Sequence, residues 1–146
     1  MKYMIQLLMA YLGSLGFGVL YNIHGKKLLF ASLGGLLAWA VYLLVNHITP
    51  IPYPCAFFAS VALTLYSELM ARVRRCPVTG YLQVALLPLV PGAGIYRAMA
   101  YCVEGDTAMF TETLLHTIGF AAALSVGAML ASSVIRALLP RFPRKK

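Results

Sequence analysis

The run Leu86-Leu87-Pro88-Leu89-Val90-Pro91-Gly92-Ala93-Gly94-Ile95-Tyr96 decides how this chain is read. It lies inside an apolar stretch, residues 78–103, that is long enough to enter a bilayer. Yet it holds residue types that a helix interior rejects. Pro88 and Pro91 remove backbone donors, and Gly92 and Gly94 are expected to permit close approach and unusual dihedrals. Hydrocarbon offers no partner to a freed N–H or C=O, so such a break survives only against protein or a water-filled cavity.

The flanking sequence sets the class. The chain has 146 residues, of which 61% are hydrophobic and 11% charged. Its mean hydropathy is +0.81. A soluble domain of this length carries about 25% charged residues to cover its surface. The alternation of a membrane barrel strand is missing. The expected fold class is therefore all-α: a polytopic membrane protein with five transmembrane segments, the fourth broken at Pro88 to Gly94. The spans are placed at about 3–20, 28–45, 55–71, 78–103 and 113–138 in a single membrane domain, 1–139, followed by a basic cytoplasmic tail, 140–146. The first run follows Lys2, matches a span in length and is followed by no small-x-small cleavage site. It reads as a membrane helix rather than a signal peptide.

Charge decides whether the broken stretch crosses or turns back. If it crosses, Lys26, Lys27, Arg72, Arg74, Arg75, Arg136 and the tail cations share one side. Lys2 then stands on the other side with Glu104, Asp106 and Glu112. If it turns back, the cations divide almost evenly. The positive-inside rule selects the crossing, with the N-terminus outside and the C-terminus in the cytoplasm. The net charge of +8 thus serves topology and lipid headgroups, and no basic patch with interleaved aromatics suggests nucleic acid.

Several polar groups inside the spans are candidates for function. A second half-helix starting near Gly94 would place Arg97 in its first turn. Free N–H groups and a guanidinium would then be ready for a carboxylate. The plainer alternative is a proline kink, with Arg97, about 10 Å below the outer edge, reaching to headgroups. Glu68 precedes Arg72 by one turn and is either an interfacial ion pair or a proton-coupling carboxylate. Glu112 and His116 are also one turn apart: Glu112 suits a helix start, and a buried His116 could join a proton relay. His24 and His47 fall in expected turns. Gly119, Ala123, Gly127 and Ala131 recur every fourth residue and form a small-residue stripe, facing either this chain or a partner. Ser14 and Gly18 make a shorter one. Thr79, Gln83, Thr117 and Ser125 are expected to bond across helices or to their own backbone.

Cys55, Cys76 and Cys102 have neither disulfide nor zinc spacing, and no metal or other cofactor is implied. HExxH, GxSxG and P-loop patterns are missing. Ser125 and His116 share a helix but are separated by about 13 Å of rise, too far for a nucleophile and its base. An enzyme is not expected.

The chain resembles the small five-span subunit of the threonine/serine exporter family, the module similar to the C-terminal half of the fused exporters. The features carrying the resemblance are Gly16-Phe17-Gly18 before Tyr21-Asn22, and Leu33-Gly34-Gly35. Most specific is Pro88-Leu89-Val90-Pro91-Gly92, followed by Tyr96, Arg97 and Met99; the last span adds Gly119 and Gly127. The resemblance implies a bacterial inner-membrane exporter of small amino acids or related small dicarboxylates, driven by the proton gradient. It also implies a larger partner subunit with spans of its own and an additional soluble region. A single broken helix fits this, because carriers are commonly built from two repeats around a midplane site, the second coming from a partner or from another copy of the chain. The competing expectation is a membrane scaffold or assembly subunit with no solute path. In that case the small-residue stripe would matter and the break would be a mere kink.

Overall fold

A computed structural model describes residues 2–138, so the expected basic tail, 140–146, lies outside the described residues. Every regular element among them is helical: α1 (Lys2–Leu20), α2 (Lys26–Ile48), α3 (Pro52–Arg74), α4 (Val78–Leu86), a 3₁₀ turn (Leu87–Leu89), α5 (Gly92–Glu104) and α6 (Thr107–Leu138). Helices α1, α2, α3 and α6 are each long and apolar enough to cross a membrane. The α4–α5 pair passes the same test together and is bent by 53° at the break.

The helices run past the apolar stretches, and local chemistry explains where they start. α3 begins at Pro52, not Cys55, because the first turn of a helix needs no N–H donors and tolerates proline. α2 continues through Asn46 and His47 to Ile48, so His47 occupies its last turn rather than a loop. α6 starts at Thr107, well before Thr113, because Asp106 caps it by accepting a 3.0 Å bond from the Met109 N–H. Its 32 residues span about 48 Å, more than the ~30 Å hydrocarbon core requires. Gly105, at φ 80°, closes α5: its N–H bonds the Cys102 carbonyl at 3.3 Å, and that of Asp106 bonds Tyr101 at 3.0 Å.

Packing relies on small residues, since lipid tails supply no hydrophobic drive between helices. The central cluster is Ala38, Ala56, Ala59, Leu63, Ala85, Leu89 and Leu124, drawn from α2, α3, α4, the 3₁₀ turn and α6. The stripe on α6 faces α3 of the same chain. A Cβ on Gly119 would lie 2.9 Å from Tyr53 Cε1, and one on Gly127 would meet Ser60 Oγ and lie 2.7 Å from the Phe57 carbonyl oxygen. Ala123 packs against the central cluster, and Ala131 is buried. The short stripe on α1 meets α2, with Ser14 at Gly35 and Gly18 at Leu28.

These contacts settle the path of the broken segment. Tyr53 meets Gly119, and Phe57 and Ser60 meet Gly127, so α3 and α6 run parallel. α4 leaves from the Arg74 end of α3, whereas α6 begins at the Tyr53 end. The α4–α5 pair must therefore carry the chain from one end of the bundle to the other. The break lies midway along that path: Pro88 sits at Gly35, and Leu89 packs among Ala38, Ala59 and Leu124.

Gly127→Leu is expected to lower stability by at least about 1–3 kcal/mol, because the added side chain meets the α3 backbone. Gly16→Leu, where a Cβ meets nothing within 4 Å, should leave it unchanged. Equilibrium unfolding of the two variants in detergent checks this.

Candidate functional site at the helix break

α4 ends at Leu86 and tightens into the Leu87–Leu89 turn. Val90 is extended (φ −62°, ψ 126°), Pro91 follows at φ −77°, ψ 53°, and α5 starts at Gly92. The break satisfies much of its own backbone. The Val90 N–H bonds the Leu87 carbonyl at 3.2 Å and the Gly92 N–H bonds Val90 at 2.8 Å. The Pro91 carbonyl accepts from both Gly94 (3.1 Å) and Ile95 (3.2 Å). That double acceptance draws the helix start back to Gly92. Arg97 consequently lies in the second turn of α5, not the first, one turn beyond Ala93 on the same face.

The two glycines differ. Neither has a positive φ. Gly94 is a site of close approach, where a Cβ would meet Thr117 Oγ1 and lie 3.1 Å from its Cγ2. Gly92 is not: a Cβ there has nothing within 4 Å, so nothing in this chain's packing demands glycine. Pro88 faces inward, 3.3 Å from where a Cβ on Gly35 would lie, in a notch also bordered by Ala85 beside Gly34.

The start of α5 faces away from the bundle. Only Ala98 of α5 is buried, and its main neighbour is α6. Tyr96 is 76% exposed, and Gly92, Ala93, Ile95 and Arg97 are exposed as well. Arg97 makes no ion pair or hydrogen bond among the described residues.

A cleft of about 250 Å³ lies beside the inner side of the break, lined by Gln6, Met9, Ala10, Trp39 and Pro88. Sequence reasoning did not single out Gln6 or Trp39. The indole Nε1 of Trp39 is buried without a hydrogen-bond partner, as is Ser14 Oγ next to Pro88's notch. The available signals were a tryptophan in mid-helix, away from the interfacial belt that Trp favours, and a glutamine within an apolar run. Ser14 was read for packing alone.

The structure does not gather the three candidate proton groups. Glu68 is buried on α3, with its Oε2 4.0 Å from Arg72 Nε, about 13 Å of helix rise from Ala59 at the level of the break. Glu112 and His116 are both exposed on α6, with no ion pair between them among the described residues, and the His116 ring lies 5.3 Å from that of Tyr53. His116 is thus not a buried imidazole. Thr117 and Ser125 bond their own helix backbone, at Thr113 (2.7 Å) and Ala121 (2.9 Å).

A helical bundle crossed by one discontinuous helix, with its break at mid-bundle, defines a multi-pass membrane protein of a kind common among transporters. The comparison with known families agrees: residues 6–134 match the family described as Threonine/Serine exporter, ThrE, and the chain belongs to that family. No curated protein and no solved structure matches it.

Gly94→Ala should loosen α5 from α6, and Thr117→Ala in the same chain should relieve it. A double-mutant cycle on thermal unfolding is expected to give a coupling of about 0.5–3 kcal/mol. Strict additivity would mean that the two residues do not share the contact.

Proposed function

We propose that this chain is the small subunit of a threonine/serine exporter-type secondary transporter, exporting small amino acids or related small carboxylates together with a larger membrane subunit. The observation that carries this reading is the outward-facing start of α5. Gly92, Ala93, Tyr96 and Arg97 lie at and just beyond a mid-bundle break and are exposed on the single chain. A guanidinium facing lipid at this depth is costly, about 2.5–3.5 kcal/mol at a span centre on insertion scales, and intramembrane arginines usually face protein or water. A second protein surface over this face removes that cost and encloses the break. The larger subunit is the proposed cover, and a second copy of this chain is the other candidate.

In this arrangement the leading N–H groups of α5, with Arg97, bind the substrate carboxylate. Pro88, Pro91, Gly92, Gly94 and Tyr96 shape the site. Trp39 and Gln6 border its inner side. Glu68 is the strongest of the proton-coupling candidates, because it is buried and charge-paired within the bundle. The protein sits in a bacterial inner membrane as one membrane domain, with the N-terminus outside and the basic end, carrying Lys26, Lys27, Arg72, Arg74 and Arg75, in the cytoplasm.

The openness at Gly92 makes it the informative position. A Cβ at Gly92 meets nothing within 4 Å and the residue is exposed, so Gly92→Leu should insert and accumulate normally while export of threonine, serine or succinate, measured in cells carrying both subunits, is lost. Arg97→Gln should lower export at least about tenfold at unchanged abundance, the loss expected for a charge-assisted bond. Wild-type export by Gly92→Leu at wild-type abundance would overturn the site and favour a scaffold subunit.

A further inference from the structure

A second cleft, of about 260 Å³, opens at the basic end of the bundle. Its lining includes Ile23, Lys27, Cys76, Thr79, Tyr81 and Gln83. Local sequence creates it. Pro77 stands before α4 in an extended conformation (φ −60°, ψ 135°), and no side chain caps the helix. The first N–H groups of α4 therefore have no intrahelical acceptor and no side-chain one. Gly80 keeps the backbone accessible, since a Cβ there would meet only Ile23 Cδ1, at 3.9 Å.

Tyr81 supplies the independent observation. It is only 4% exposed and lines this cleft, and its hydroxyl has no hydrogen-bond partner among the described residues. A buried hydroxyl left unpaired costs about 1–3 kcal/mol. That cost disappears if a bound group accepts from it. Every polar group named around the cleft can donate: the start of α4 and the Lys27 ammonium only donate, and the Tyr81 and Thr79 hydroxyls and the Gln83 amide donate as well as accept. Among the described residues, no carboxylate lines it. Such a set suits an oxyanion and repels a cation.

We propose that this cleft is an oxyanion-binding site, recognising either the carboxylate of a water-soluble solute or the phosphate of a lipid headgroup, with Tyr81 and Lys27 as its principal side chains. It lies at the far end of α4 from Pro88, about 13 Å away along the helix from Thr79, and does not depend on the break holding substrate. The volume exceeds the ~30 Å³ share of one water several-fold, so there is room for more than a structural solvent molecule.

The test uses the full chain in lipid nanodiscs and reads the thermal unfolding midpoint against added probe, because a ligand that binds only the folded state raises it. One arm titrates sodium succinate and inorganic phosphate into phosphatidylcholine discs, with sodium chloride as the ionic-strength control. The other replaces part of the phosphatidylcholine by phosphatidylglycerol. Saturable stabilisation by succinate or phosphate identifies a soluble oxyanion, and stabilisation by phosphatidylglycerol alone identifies the headgroup. In either case Tyr81→Phe and Lys27→Gln should each weaken the effect about tenfold. Tyr81→Phe should fold as well as the parent without ligand, since the lost hydroxyl has no partner among the described residues. Stabilisation by none of the three probes beyond the chloride control, or equal stabilisation of wild type and both variants, overturns the proposal.

Discussion

A backbone group freed inside hydrocarbon finds no partner there, and the rest of this structure follows from that constraint. Two prolines within four residues would ordinarily expose several carbonyls. Here the Leu87–Leu89 turn, the Gly92–Val90 contact and the doubly accepting Pro91 carbonyl reabsorb much of the deficit locally. The remainder is handled by burial against protein. Gly34 and Gly35 leave a notch on α2 into which Ala85 and Pro88 fit, so the first half of the broken helix is seated in the bundle. Leucine at either glycine would force the break outward, where only lipid could meet it.

The same constraint gives the parallel α3–α6 pair its importance. Two parallel neighbours separated by one connecting segment require that segment to cross. The contacts of Tyr53 with Gly119 and of Phe57 with Gly127 thus commit α4 and α5 to a path from the basic end to the acidic one. Charge distribution reaches the same conclusion by a different physical route, the preference of loops rich in Lys and Arg for one side. One argument uses side-chain volume and the other uses the placement of Lys and Arg, and neither depends on the other.

Much of the fold was legible because membrane solvation leaves coarse marks: long apolar runs, cations at one side and breakers in one place. Helix ends were less legible. Pro52 and Pro54 look like helix stops in a linear reading, but first-turn residues need no N–H, and Asp106 extends α6 by a capping bond that composition does not reveal. The candidate site was legible as a location and not as a geometry. Gly92 and Gly94 are equivalent in sequence, and only the approach of Thr117, from a residue far along the chain, separates them. Trp39, Ser14 and Gln6 come to the break from two other helices, so no local pattern could assign them. The burial of Glu68 likewise depends on neighbours that its own helix does not contain.

The two halves of the broken span live in different surroundings. α4 packs on α2 and α3, whereas α5 packs chiefly on α6, held there by Gly94 at Thr117 and by buried Ala98. A change in the 53° bend would therefore disturb few contacts if it occurred between the two bodies, at Val90 and Pro91. Val90 is exposed, Pro91 has its φ held by its ring, and that ring also confines the ψ of Val90, leaving the φ of Val90 and the ψ of Pro91 as the softer coordinates. Leucine in place of Pro91 would restore a donor and a free φ, favouring a continuous helix in which α5 could no longer lie along α6. A proline–glycine joint with separately anchored flanks thus holds a defined angle while concentrating its freedom in one place.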